Sequence, residues 1–212
     1  MRRFLLILTI IIITLSIVLV GVSCKTTAAA VQTTQKEFIG SDFELSLPQG
    51  WEGGRKDELD PIVEKLKEMG QEQLADKVEA SLSTFLFWGY DSEAATSGGD
   101  VSTFNITGDS SAAFLSLNEY MDLSYKNVAE VYEKAGYSFN IIEEDVVLVG
   151  NYEEVGRTIF EQKVEGVKTK VAQYIIKHGS DFWVLTFTAT LEQFGQNIQD
   201  FDKTIETFEI ME

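Results

Sequence analysis

Few side chains in this sequence are equipped for covalent or metal chemistry. Cys24 is the single cysteine and His178 the single histidine. One thiol and one imidazole do not make a zinc or iron shell, which needs several soft ligands at fixed spacing. No G-x-S-x-G elbow and no S-x-x-K pair is present to activate a serine. Gly53-Gly54-Arg55-Lys56 is short and basic but lacks the G-x-x-x-x-G-K-[ST] phosphate cradle, so it is expected to be a loop. His178 stands beside Gly179-Ser180 and reads as a surface turn residue. Carboxylates are the one plentiful functional group. Asp91, Glu93 and Asp100 share a Ser- and Gly-rich segment without EF-hand spacing. Glu143, Glu144, Asp145, Glu153 and Glu154 flank Gly150 and are expected to form a solvated hairpin tip. Two acids at the right separation would suffice for glycoside hydrolysis, but spacing along the chain singles out no pair. The expectation is no catalytic residue, no metal and no cofactor.

Charge narrows the partners. The 212 residues carry 17 Lys and Arg against 34 Asp and Glu, a net charge of −17. Such a field repels phosphate backbones and anionic headgroups, so nucleic acid is excluded as a partner.

The lone thiol has an informative setting. Arg2 and Arg3 precede an apolar run, Phe4 to Val22, interrupted only by Thr9, Thr14, Ser16 and Gly21; Ser23 then leads to Cys24. A positive start, an apolar stretch and small residues form an export signal. The layout resembles a bacterial lipoprotein signal, with Val22 and Ser23 at the two positions before the cysteine and Gly21 where Leu is usual. The resemblance implies lipidation of Cys24 and removal of residues 1–23. Several acyl chains on one residue hold a protein durably at a bilayer. The rival reading is a retained single span, for which the run is long enough. Either way the remainder is extracytoplasmic and anchored to the membrane. Residues 24–36 are then the lipidated Cys and a small, polar tether reaching at most about 40 Å.

Residues 37–212 read as one α/β domain. Phe43, Leu45 and Leu47 alternate with Glu44 and Ser46, as in a half-buried strand, which Pro48 and Gly50 end. Asp60-Pro61 is expected to open a helix with Asp60 as N-cap, buried through Leu59, Ile62, Val63 and Leu66 and broken at Gly70. Leu74, Val78 and Leu82 mark a second helix. Residues 84–90 form an apolar strand, 91–100 a loop and 101–107 another strand. Ser116 and Glu119 make a capping box for a helix that buries Leu117, Met121, Tyr125, Val128, Val131, Tyr132 and Ala135 and stops at Gly136. Strands follow at about 139–149, 154–164, 168–178 and 181–189, with turns at Gly150-Asn151, Gly166 and Gly179-Ser180. Short connections favour antiparallel neighbours. A last helix starts at Thr190 and buries Leu191, Phe194, Ile198, Phe201 and Ile205. The fold class is α+β, a mainly antiparallel central β-sheet covered by helices.

The opening Phe43-Glu-Leu-Ser-Leu-Pro-Gln-Gly-Trp51 resembles the "F-x-x-x-x-P-x-G-W" start of PsbP-like proteins. The ending Phe182-Trp-Val-Leu-Thr-Phe, a helix, then Thr207-Phe208-Glu-Ile is similar to theirs too. The resemblance spans most of residues 38–210; the segment 52–82 departs from the shorter members. It implies a PsbP-like α/β/α sandwich and identifies no functional residue. Its members include photosystem extrinsic subunits, a Ran-binding nuclear factor and bacterial lipoproteins. The expected role is a non-enzymatic binding or accessory module at the cell envelope, holding a protein partner or a small ligand. The alternatives are an envelope hydrolase using surface carboxylates and a single-span membrane-anchored protein with a structural role.

Overall fold

A computed structural model describes residues 37–40 and 42–211. The leader, the tether and Cys24 lie outside the described residues. The chain runs through β1 (Glu37–Phe38), β2 (Phe43–Ser46), β3 (Trp51–Arg55), α1 (Leu59–Glu68), α2 (Glu72–Ser81), β4 (Phe87–Asp91), α3 (Ser92–Ser97) and β5 (Thr103–Asp109). It continues through α4 (Leu117–Ala135), β6 (Ser138–Val149), β7 (Tyr152–Val164), β8 (Val167–His178), β9 (Asp181–Thr190), α5 (Leu191–Glu206) and β10 (Glu209–Ile210).

Seven strands form one sheet in the order β3-β4-β5-β9-β8-β7-β6, and β1-β2-β10 form a small sheet. Every pairing is antiparallel. The α+β class with a central antiparallel sheet stands. Helices cover both faces. On one face α5 and the small sheet bury Phe43, Leu45, Phe194, Phe201 and Ile205 against Phe87, Phe104, Ile106, Leu185 and Phe187. On the other, α4 packs Leu117, Met121 and Tyr125 on Phe160, Val171 and Ile175, while α1 and α2 bury Leu59, Val63, Leu66, Leu74 and Val78 around Trp88 and Tyr90.

Local sequence accounts for most boundaries. Ser116 Oγ accepts from the Glu119 N–H, and Glu119 answers at the Ser116 N–H, closing the capping box. The Ser116 N–H and the Ser116 hydroxyl both donate to the Glu119 carboxylate, and these bonds hold it below its usual range. Gly136 closes α4 in the left-handed region at φ 74°, a backbone conformation that is strained for residues carrying a Cβ and free for glycine. Thr190 caps α5 through the Gln193 N–H.

Several expectations are corrected. Gly53-Gly54-Arg55 lies in β3 rather than a loop, and a Cβ on Gly53 would meet the Phe87 ring and the Trp88 carbonyl at 2.8 Å. The pair of glycines lets backbone and ring approach, the role of glycine inside a strand. Helix α1 starts one residue before Asp60 with Glu58 as N-cap, so Asp60 and Pro61 fall inside its first turn. Residues 91–100 contain α3, whose N-cap Asp91 accepts from the Ala94 N–H. Burial raises the Asp91 carboxyl above its usual range despite that bond. Ala135 and Leu191 are exposed, and Tyr120 joins the buried side of α4, stacked on Phe182 at 3.9 Å.

Candidate functional site

Strand register builds one row straight across the sheet. Phe87 faces Ile106, Ile106 faces Leu185, Leu185 faces Tyr174, Tyr174 faces Arg157 and Arg157 faces Asp145. Directly opposed residues share a face. The row therefore begins in the core under α5 and turns polar as it reaches the β6 edge. Helix α5 supplies the roof there with Asp202 and Glu206.

These side chains are tied together. Arg157 donates from Nε to the Tyr174 hydroxyl at 3.1 Å and from Nη1 to Glu143 Oε2 at 3.1 Å. The Tyr174 hydroxyl in turn donates to the Asp202 carboxylate. Burial is the main cause that pushes the Tyr174 phenol well above its ordinary range, and the Asp202 charge adds to it. Burial works against the Arg157 charge, but Tyr174, Asp202 and Glu143 outweigh it and raise its pKa. Arg157 is a fixed cation and Tyr174 a neutral donor.

A cleft of about 510 Å³ opens over this chain of bonds. Its walls are Val147, Leu148, Val149 and Gly150 from β6 and its turn, Arg157 and Tyr174 from the sheet floor, and Asp202 and Glu206 from α5. Gly150 closes one end. Its φ is 55°, and a Cβ there would stand 2.9 Å from the Glu206 carbonyl, so only glycine allows the hairpin to meet the last turn of α5. One wall is aliphatic, and the floor and roof carry a guanidinium and two carboxylates. Such a site suits a ligand segment with an apolar part and a cationic or hydrogen-bonding part.

The residues singled out in the sequence are not brought together. His178 is exposed at a turn opposite Asp181. Asp91 caps α3, Glu93 lies against Gly50, and Asp100 lends its carbonyl to Gln193 Nε2. Among the described residues no three His, Cys, Asp or Glu side chains gather as a cation site. Arg55 donates to the Phe43 carbonyl and lies 4.0 Å over the Phe43 ring, a structural strap. Trp51, Phe85, Phe87, Trp88 and Tyr90 are all buried, so the apolar strand around 84–90 is covered on both faces. Glu143, Glu144 and Asp145 are not at a hairpin tip; they occupy the middle of β6, the last strand of its sheet. Sequence reading missed Arg157, Tyr174 and Asp202. The signal was present: Val155 and Ile159 are inward-facing, and Arg157 falls on the same period.

No protein-family model matches the chain, and no curated protein matches it. Among solved structures the chain is similar to the cyanobacterial PsbP, CyanoP, of Synechocystis sp. PCC 6803. The TM-score is 0.55 at 8% identity, over 88% of this chain and 98% of that one. The chain has a PsbP-like fold. LpqN of Mycobacterium tuberculosis, described as involved in cell envelope biogenesis, aligns at TM-score 0.49 and 11% identity, over 84% of this chain and 91% of that one. The Saccharomyces cerevisiae Ran-binding protein Mog1p aligns at 0.48 and 11%, over 85% and 97%. The likeness to CyanoP shows the architecture and no side-chain role, so the PsbP-like frame leaves the cleft to be read from its own residues.

Proposed function

We propose that this chain is an extracytoplasmic lipoprotein whose PsbP-like domain is a non-enzymatic binding or accessory module. Residues 1–23 act as the signal, Cys24 carries the lipid, 24–36 form the tether and 37–212 the binding domain. One observation carries the binding role. The cleft groups are committed to one another, Arg157 to Tyr174 and Glu143, and Tyr174 to Asp202, beside an exposed aliphatic strand. A preorganised, half-apolar surface of this kind favours holding a partner. The anchoring role is supported by the layout of Arg2, Arg3, the apolar run and the lone Cys24. A protein partner in the envelope fits the acidic surface and the tether length.

The decisive experiment on anchoring is intact-mass analysis of membrane-extracted protein beside a Cys24→Ala variant. Acylated, cleaved wild type and an unprocessed, lipid-free variant are expected. A wild type with no fatty acid, or a variant processed and retained like wild type, overturns it. Among the described residues no helix is long and apolar enough to cross a membrane, and the leader lies outside them. The same masses therefore separate lipid anchor from retained span.

A second reading, an envelope hydrolase, is favoured by one feature: Asp202 and Glu206 line one cleft. It requires turnover of an envelope polymer by the purified chain that Asp202→Asn and Glu206→Gln both abolish.

A further inference from the structure

The seven-stranded sheet ends at β6, and the ladder there is unfinished. β6 has 12 residues, Ser138–Val149, and among the described residues it pairs on one side only, with β7. Register irregularities fall between Ile141 and Glu143 and between Val147 and Val149. Between them, Glu143 to Val147 is a regular five-residue ladder, facing Ile159 to Val155 of β7. An exposed edge of this kind offers unpaired N–H and C=O groups in strand geometry. Aliphatic side chains surround it. Ile142 is 41% exposed, Val146 47% and Leu148 72%.

The charge pattern selects the occupant. Glu143, Glu144 and Asp145 stand consecutively at the centre of the strand. A second copy pairing antiparallel about this centre would set Glu143 against Glu144 of its mate, and like charges directly opposed are destabilising. Glu143 is already bonded to Arg157, so the charge of Glu144 and Asp145 is what attracts a strand with Lys or Arg facing them, and the −17 chain would steer it in. The C-terminal half of the same strand is the wall of the cleft holding Asp202 and Glu206, so the acidic surface continues beyond the edge.

We propose that Glu143–Val147 of β6 receives an extended peptide segment of an envelope protein, with basic and aliphatic residues alternating, as an eighth strand of the sheet. This rests on reading the domain as a binding module and names the edge and the partner chemistry. Backbone bonds along β6 give the affinity, and the acids set the register and sign of the partner.

The test uses the full chain, purified in detergent, and a fluorescein-labelled, end-blocked peptide Lys-Val-Lys-Val-Lys-Val-Lys read by anisotropy. The expected result is saturable binding at least about tenfold tighter than the Glu-Val counterpart and weakened by salt. The N-methyl group on one set of alternate peptide amides should abolish binding, and on the other set leave it, because only one edge of an added strand meets β6. Glu144→Lys combined with Asp145→Lys should reverse the preference between the two peptides. Equal tolerance of both N-methylated sets overturns the proposal and leaves only charge attraction. Absence of binding, or self-association of the chain through β6, also overturns it. Where Cys24 is acylated and a defined envelope protein still binds the chain elsewhere, the edge inference falls alone and the broader reading survives.

Discussion

The two ends of the seven-stranded sheet are finished in opposite ways. At one end β3 has five residues, Trp51–Arg55, with three of them buried. Helices α1 and α3 pack against it, and the Arg55 guanidinium is turned inward onto Phe43. At the other end β6 has 12 residues, exposed along most of its length, with Ile142, Val146 and Leu148 facing solvent. A sheet edge is an aggregation hazard unless it is short, covered or charged. The β3 end is short and covered. The β6 end is neither, and its defence is a central triplet of acids flanked by two register shifts. That difference separates an end closed by packing from an end left accessible in strand geometry.

The comparison predicts a graded response to substitution. Trp88→Ala, in the strand next to β3, removes a side chain that is 1% exposed and should cost roughly 3–5 kcal/mol in urea unfolding. A loss under about 1 kcal/mol there would erase the distinction between the ends. Gly53→Val should cost about 1–3 kcal/mol, because the new side chain meets Phe87 and the Trp88 carbonyl at 2.8 Å. Tyr174→Phe removes the hydroxyl that joins Arg157 to Asp202. About 1–3 kcal/mol of stability should be lost, with any ligand affinity of the cleft falling alongside.

Titration sharpens the contrast. Asp91 near the β3 end and Glu144 on β6 both have carboxyl pKa values raised, in each case first by burial, with Glu93 adding to Asp91 and Asp122 adding to Glu144. A raised folded-state pKa means the folded protein holds the proton more tightly than the unfolded chain. The favourable contribution is present at low pH and is lost as pH rises from the unfolded pKa through the folded one. Asp91→Asn and Glu144→Gln should therefore gain stability relative to wild type on going from about pH 3 to about pH 7, measured by paired urea titrations. A fall over that interval would contradict the burial of Asp91, or the partial desolvation of the exposed Glu144. The smallest effect is expected at Leu148→Ser, within about 0.5 kcal/mol of wild type, since this side chain is 72% exposed. Its consequence should appear in peptide binding instead.

Much of the fold was legible because its signals are local. The capping box of Ser116 and Glu119, the left-handed Gly136, the alternation through Phe43, Leu45 and Leu47, and the three turns between β6 and β9 each lie within a few residues. The departures were local conflicts that tertiary contact decided. Gly53-Gly54-Arg55-Lys56 read as a loop, but Phe87 and the Trp88 carbonyl fill the space of a Gly53 side chain, and Glu58 and Ile62 that of a Gly54 side chain. Residues 91–100 read as a loop because Ser, Thr and Gly outweigh a single-turn helix whose cap is Asp91.

Composition, period and turn chemistry determined an acidic chain, its succession of strands and helices, and an apolar run that precedes its one cysteine. The row from Phe87 to Asp145, the meeting of Arg157, Tyr174 and Asp202, and the solvent exposure of β6 were decided by the tertiary structure alone. Those contacts join residues far apart in the chain through strand register and strand order, and neither quantity is written in any short window of sequence.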